Sequence, residues 1–262
     1  MAATCPIDFD IAALRSGVRA VYSRVADDPS GDFHFHRGVA YAVELLGYDR
    51  TELEALPTEA TARFAGVGNP LAIGRLGLNE AVLDHACGAG TDLLLAARRV
   101  GPAGTAIGVD MTPGMRQRAT EAAHLAKLSE RVEVRAGLLE ELPVATASID
   151  VVISNGVLNL SPNKRQALSE VVRVLRPGGR LFLADVVVQR ELDLTARSSP
   201  DLWAACVGGA LPEPELLELA QSAGLSDVRV VGRFACFAGT SAEAKVSSDL
   251  RIASINLFAQ KT

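Results

Sequence analysis

Between residues 75 and 190, short runs of Val, Ile and Leu alternate with stretches whose apolar residues recur every three or four positions. The runs at 80–84, 105–110, 131–136, 149–155 and 180–188 have the continuous apolar character of strands covered on both faces. Helical spacing marks the intervening segments at 91–100, 113–128 and 162–176. That rhythm predicts right-handed crossovers and an α/β fold built on a doubly wound parallel sheet. Ahead of this core the pattern predicts a helix over 9–26, a turn-rich break at 27–32 and a second helix over 39–48, together a cap over one edge of the sheet. Behind it, 212–224 reads as a helix ending near Gly224, and 225–239 and 251–260 carry strand character.

Composition refines this picture. A chain of 262 residues is long for one small domain and short for two, which predicts one large α/β domain with appended elements. Although 48% of the residues are hydrophobic, no apolar run approaches the roughly 18 residues of a membrane span. The first residues carry neither a basic leader nor an apolar core, so the cytoplasm is the expected compartment. Cys5, Cys87, Cys206 and Cys236 are scattered, which suggests free thiols rather than a disulfide framework or a structural metal site. A net charge of −5 without a basic run gives no footprint for nucleic acid. The expected partner is a small molecule, and the expected state a monomer or homodimer.

The chemistry concentrates in VLDHACGAGTD, residues 82–92. A strand ending in Asp84 runs into Cys87, Gly88, Ala89 and Gly90 and then into a helix, the form of a nucleotide-binding turn. Glycines let the backbone approach a ligand, and the helix start presents free N–H groups. No third glycine follows until Gly101, so the spacing departs from the dinucleotide fingerprint. Asp110 ends the next strand twenty positions after Gly90, where a carboxylate accepts hydrogen bonds from both hydroxyls of a ribose.

Together with Asp110, GLLEELPVATASIDVVISN at 137–155 and VLRPGGRLFLADV at 174–186 resemble the later motifs of the class I S-adenosylmethionine-dependent methyltransferases. The resemblance implies a Rossmann-like seven-stranded sheet whose last strand is antiparallel, with S-adenosylmethionine across the carboxyl ends of the first strands. It implies one integrated domain in three parts: an N-terminal cap or lid at 1–74, a cofactor-binding core at 75–190, and a C-terminal part at 191–262 that completes the sheet and the acceptor pocket. The cofactor-binding residues it implies are Tyr22, Asp84, Ala86, Cys87, Gly88, Gly90, Asp110, Met111, Leu138, Leu139 and Asn155. Tyr22 is placed near the methionine end. Ala86 stands where the first loop glycine is usual, and Leu138, at a position often acidic or polar, would contact the adenine.

A narrower resemblance lies in GVGNPLAIGRL, IGVDMTPGM, VISNGVLNLSPNK and WAACVGGA, which are similar to segments of the arsenite methyltransferases. Those enzymes hold trivalent arsenic through three cysteine thiolates, because the soft metalloid prefers sulfur. Cys206 keeps a thiol at one matching position, while Val67 and Gly156 occupy the other two. A single thiolate cannot build that cage, and Cys236 is a candidate second ligand. Gly156 instead leaves room for a bulkier, carbon-based acceptor, with Asn69, Asn159 and Trp203 near it. If the acceptor is a hydroxyl, an amine or an acidic carbon, His36 or His34, two apart on one face of an extended segment, is the expected proton acceptor. If it is a thiol or a metalloid, Cys206 becomes central. Trp203 and Cys206, three apart, share a face if their segment is helical. The expectation is a methyltransferase for a small molecule other than arsenite. The alternatives are a metalloid methyltransferase with a reduced thiol set and a protein that keeps the scaffold without transferring methyl groups.

Overall fold

A computed structural model describes residues 10–33, 35–190, 192, 202–203, 206–239 and 252–262. Strands β1 (Ala81–His85), β2 (Thr105–Asp110), β3 (Val132–Ala136), β4 (Ile149–Asn155) and β5 (Leu175–Val188) pair in parallel in the spatial order β3-β2-β1-β4-β5. β8 (Ala253–Lys261) runs antiparallel between β5 and β7 (Leu225–Phe234), which extends the order to 3-2-1-4-5-8-7. A two-residue strand, β6 (Leu211–Pro212), pairs with the end of β5, so the expected seven strands are joined by a minor eighth among the described residues.

Helices α5 (Thr91–Arg99) and α6 (Pro113–Leu125) share one apolar core with one face of the sheet, while α7 (Lys164–Val174) and α8 (Glu213–Ser222) contribute to a second core on the other. Burial follows from position. Val151, Val152 and Ile153 of central β4 are fully buried, as a strand covered on both faces requires. At the edge, β3 has no fully buried residue, so the two-sided burial expected there does not occur. β5 starts five residues before the predicted 180, because its pairing with β4 steps from Ile149–Leu175 to Val151–Arg180. The register shift takes up Pro177, Gly178 and Gly179, which interrupt the apolar pattern without ending the ladder.

The N-terminal cap does not sit over an edge. α1 (Ile11–Asp27) packs on α6, and α2 (Gly38–Leu46), α3 (Arg50–Glu54) and α4 (Thr58–Thr61) follow, with α3 against α5 and α4 against α6. Asp10 caps α1 by accepting from Ala13 N at 2.9 Å. The inner face of α1 buries Leu14 and Val18 against Trp203, and Val25 and Ala26 against Ala89 and Met115, which carries the helix across the carboxyl ends of the strands. No described helix is long and apolar enough to cross a membrane.

Candidate functional site

The strand order reverses between β1 and β4, and outside the carboxyl ends there lies a cleft of about 1050 Å³, its open mouth included. Of the cofactor residues implied by the sequence, all but Gly90 line it: Tyr22, Asp84, Ala86, Cys87 and Gly88, then Asp110, Met111, Leu138, Leu139 and Asn155. Gly90 begins α5 with φ +92 and faces Ala119 of α6, so it serves the packing of the turn rather than its open side.

Asp110 organises the turn. Its Oδ2 accepts from Gly88 N at 3.0 Å and its Oδ1 from Thr112 N at 2.7 Å, which fixes the carboxylate at the end of β2. At Gly88, φ is +52 and an added Cβ would meet no atom within 4 Å, so the backbone lies open to the cleft. Ala86 takes the same left-handed region at φ +67, a conformation that costs a residue with a Cβ about 1–2 kcal/mol. Cys87 contributes only backbone, because its Sγ turns back beside Gly108 and Leu93 and burial raises its thiol pKa well above the ordinary value. Asp84 is 3% exposed and its Oδ2 has no hydrogen-bond partner. Burial first, then the charges of Asp92 and Asp110, raise its pKa well above the usual carboxylate range.

These features suit S-adenosylmethionine. Asp84, with an unpartnered carboxylate oxygen, lines the cleft and would suit a ligand that carries ammonium and sulfonium charge, the Asp110 carboxylate would suit a ribose, and Leu138 and Leu139 offer an apolar wall to an adenine.

Asn155 lines the cleft, yet its carboxamide is fully engaged. Oδ1 accepts from Val67 N at 2.8 Å and Gly68 N at 3.1 Å, while Nδ2 donates to Asp92 Oδ2 at 2.9 Å, Gly68 O at 3.0 Å and the Tyr48 hydroxyl at 3.1 Å. A Cβ at Gly66 would lie 2.3 Å from Asn155 Nδ2, so glycine is what lets the loop come this close. Asn155 is therefore a tie between the 66–68 loop and α5.

Among the described residues, none of the acceptor and base candidates lines the cleft. Asn69 bonds instead to Asn256 of β8 and to Gly47 O, and Asn159 donates to Asp185 Oδ1 at 2.9 Å and Val186 O at 2.7 Å. Trp203 packs under α1 with Lys164 Nζ 4.6 Å from its ring centre. Cys206 adopts φ +61, which ends helical progression, so it does not continue a shared helical face with Trp203. The His36 ring lies on Tyr41 with centroids 5.0 Å apart, and its Nε2 is 2.7 Å from Ala238 O, away from the cleft. His34 lies outside the described residues.

Val67, Gly156 and Cys206 nevertheless converge. Gly156 has φ +72, and a Cβ there would lie 3.2 and 3.3 Å from the two methyls of Val67. Cys206 Sγ donates to Gly156 O at 3.1 Å, and the Tyr22 hydroxyl is directed at the same sulfur. Burial raises the thiol pKa of Cys206 well above the ordinary value and pushes that of Cys236 up to about 12.

Sequence reasoning missed Arg15, Arg63, Asp92, Glu140 and Ser161 of the cleft lining. Arg15 of α1 reaches Glu140 at 3.4 Å, and Glu140 accepts from Ser161 Oγ at 2.5 Å, which closes one side of the mouth. Asp92 was within reach of the sequence, as the residue directly after GAGT; the others come from separate elements and carry no local signal.

Residues 77–224 match the Methyltransferase domain family. An arsenite methyltransferase of Halobacterium salinarum is 42% identical over 188 residues, 71% of this chain and 47% of that protein. The human arsenite methyltransferase is 34% identical over 228 residues, 84% of this chain and 60% of that protein. The chain thus spans about half to three-fifths of the length of these curated relatives. Among solved structures, an arsenic (III) S-adenosylmethionine methyltransferase from Chlamydomonas reinhardtii superposes with a TM-score of 0.72 at 34% identity, covering 81% of this chain and 73% of that one.

Proposed function

Because the chain belongs to the class I S-adenosylmethionine-dependent methyltransferases, we propose that it transfers the methyl group of that cofactor to a small molecule other than trivalent arsenic. The observation that carries the second half is the contact between Val67 and Gly156. The two positions that would supply thiols hold a valine and a glycine, and a Cβ added at Gly156 would crowd the Val67 methyls at 3.2 and 3.3 Å, which supports a reading without the arsenic cage. One remaining thiol, itself hydrogen-bonded to a carbonyl, offers a thiophilic ion a single ligand.

When bound, the cofactor supplies an electrophilic methyl on a sulfonium. The chain's part is to place and to shield. Asp110 and the open backbone at Gly88 fix the ribose and methionine portions, and Asp84 meets the ammonium. Arg15, Val18 and Tyr22 of α1 form a roof that keeps water out. Tyr22 is held by Phe35, whose ring stacks on it at 6.0 Å, and by Cys206. No imidazole of the described residues lines the cleft, so the reading assigns rate enhancement to alignment and water exclusion, which together are worth several orders of magnitude.

A second reading keeps arsenite as the acceptor, with Cys236 as a further ligand. It is favoured by the identity to arsenite methyltransferases and by the nearness of the two buried thiols, Cys236 being close enough to oppose ionisation of Cys206.

The test is incubation of the purified protein with methyl-labelled S-adenosylmethionine, in one arm with arsenite and glutathione and in others with small hydroxyl, amine and acidic-carbon acceptors. Micromolar cofactor binding, no methylated arsenic and label in an organic product are expected. Methylated arsenic would replace this reading with the second, and absence of cofactor binding would overturn both.

A further inference from the structure

The 66–69 loop lies between α4 and β1 and belongs to no helix or strand, yet every backbone polar group from Gly66 O to Asn69 O is held by a side chain. Tyr41 of α2 donates to Gly66 O at 2.9 Å. Asn155 of β4 accepts from Val67 N and Gly68 N and donates to Gly68 O. β8 holds the remainder: Ser254 Oγ donates to Val67 O, and Asn256 accepts from Asn69 N at 3.2 Å and donates to Asn69 O at 2.7 Å.

Ser254 and Asn256 are two apart on one face of β8 and are 0% and 3% exposed, while Ile255 and Leu257 turn to the core on the other face. A polar side chain buried in a strand costs free energy unless its bonds are made, and the bonds of this pair run chiefly to one loop, with a longer one from Ser254 to Phe234 O at 3.4 Å. Gly66 lines the cleft, so the loop is part of its wall. None of the bonds that hold it involves the side chain of Val67, which stands against Gly156. The shape of the loop is thus set from outside, by residues far off in sequence.

We propose that Ser254 and Asn256 are positioning residues for the acceptor side of the cleft: they keep the 66–69 loop in one place whatever side chain residue 67 carries, so that exchange of that one side chain resets the acceptor. The inference rests on the proposed function, which puts the choice of acceptor at Val67 and Gly156. A wall that must present one side chain accurately is built in this way, with the presenting backbone locked by a second layer of hydrogen bonds.

The probe is phenylarsine oxide, whose arsenic takes two thiols: two As–S bonds form, and the oxide oxygen leaves as water with the two thiol protons. Val67→Cys places a second thiol beside Gly156, whose carbonyl already receives the thiol of Cys206. The natural protein, Val67→Cys, and Val67→Cys combined with Asn256→Leu or with Ser254→Ala are titrated calorimetrically with phenylarsine oxide in glutathione buffer, and separately with S-adenosylmethionine. Val67→Cys should bind the arsenical at least about tenfold more tightly than the natural protein, and either β8 change should remove most of that gain, because two thiols bind well only when held in place. Affinity for S-adenosylmethionine should move no more than about twofold across the set. A merely structural role would weaken both ligands by one factor, and that result overturns the inference. Retention of the full gain in the β8 variants, or no gain in Val67→Cys over a natural protein that does not bind, overturns it too. Should Asn256→Leu fail to unfold cooperatively, Ser254→Ala decides the matter alone. Phenylarsine oxide bound by the natural protein as tightly as by Val67→Cys, or no binding of S-adenosylmethionine, would instead overturn the proposed function, and this inference with it.

Discussion

The packed contact between Val67 and Gly156 makes a double-mutant cycle informative. Gly156→Cys places a Cβ at φ +72, which costs about 1–2 kcal/mol for the left-handed backbone alone. The same Cβ sits 3.2 and 3.3 Å from the Val67 methyls, an overpacked contact that adds about 1 kcal/mol. Val67→Cys removes volume from a residue that is 5% exposed and costs about 0.5–1.5 kcal/mol by itself. Combined, the two changes relieve the crowding, so the double variant should be about 1 kcal/mol more stable than the sum of the single costs predicts. In a domain of this size that corresponds to roughly 2–4 °C in Tm. The measurement is urea unfolding of the four proteins in reducing buffer. Calorimetric titration with arsenite follows, in which the double variant presents three thiols around one point and should bind while the natural protein does not. Strict additivity would refute the idea that the two positions fit each other. Arsenite binding by the natural protein as tight as by the double variant would refute the argument that packed hydrocarbon closes the site.

Asp110→Ala should lower affinity for S-adenosylmethionine about a hundredfold in calorimetry, since it removes a ribose acceptor and frees Gly88 N and Thr112 N; an unchanged affinity would remove Asp110 from the site. Burial holds the His85 pKa down to about 4 from 6.5, so its contribution is fully present above pH 6.5 and is lost as pH falls from there towards 4. About 3 kcal/mol is involved, and His85→Leu should show that much less loss of unfolding free energy between pH 7 and 4; an equal loss would contradict the assignment. Arg15→Ala removes a partly exposed ion pair at the cleft mouth, and cofactor dissociation followed through Trp203 emission should quicken two- to fivefold at low salt and not at high salt. Equal acceleration at both salt concentrations would assign the effect to packing of α1 instead.

Legibility in the sequence followed locality. The predicted limits of β2 and β4 coincide with those observed, because each is a short apolar run between a loop and a polar terminus and lies in the middle of the sheet. The start of β5 was hidden, since Pro177 and two glycines look like the end of an element and are in fact a shift of register within one. At the cleft, Asp84, Gly88 and Asp110 were legible because a strand end and the turn after it are contiguous in the chain. The Arg15–Glu140 pair was not, because it joins α1 to the 137–140 segment across 125 positions of sequence.

Asn159 and Trp203 show the converse error. Proximity in sequence to Gly156 and Cys206 suggested an acceptor pocket, but buried polar groups elsewhere had the prior claim on them. Asp185, 1% exposed, takes the side chain and the backbone N–H of Asn159, and burial still raises its pKa to about 6. To free that amide for a ligand would leave a buried carboxylate short of a donor, at a cost of about 1–3 kcal/mol that weak acceptor binding does not offset. The residues behind the cleft therefore serve to fix the 155–161 turn. On the proposed reading the acceptor is decided instead at Val67 and Gly156, where hydrocarbon would stand in place of sulfur beside an intact cofactor cleft.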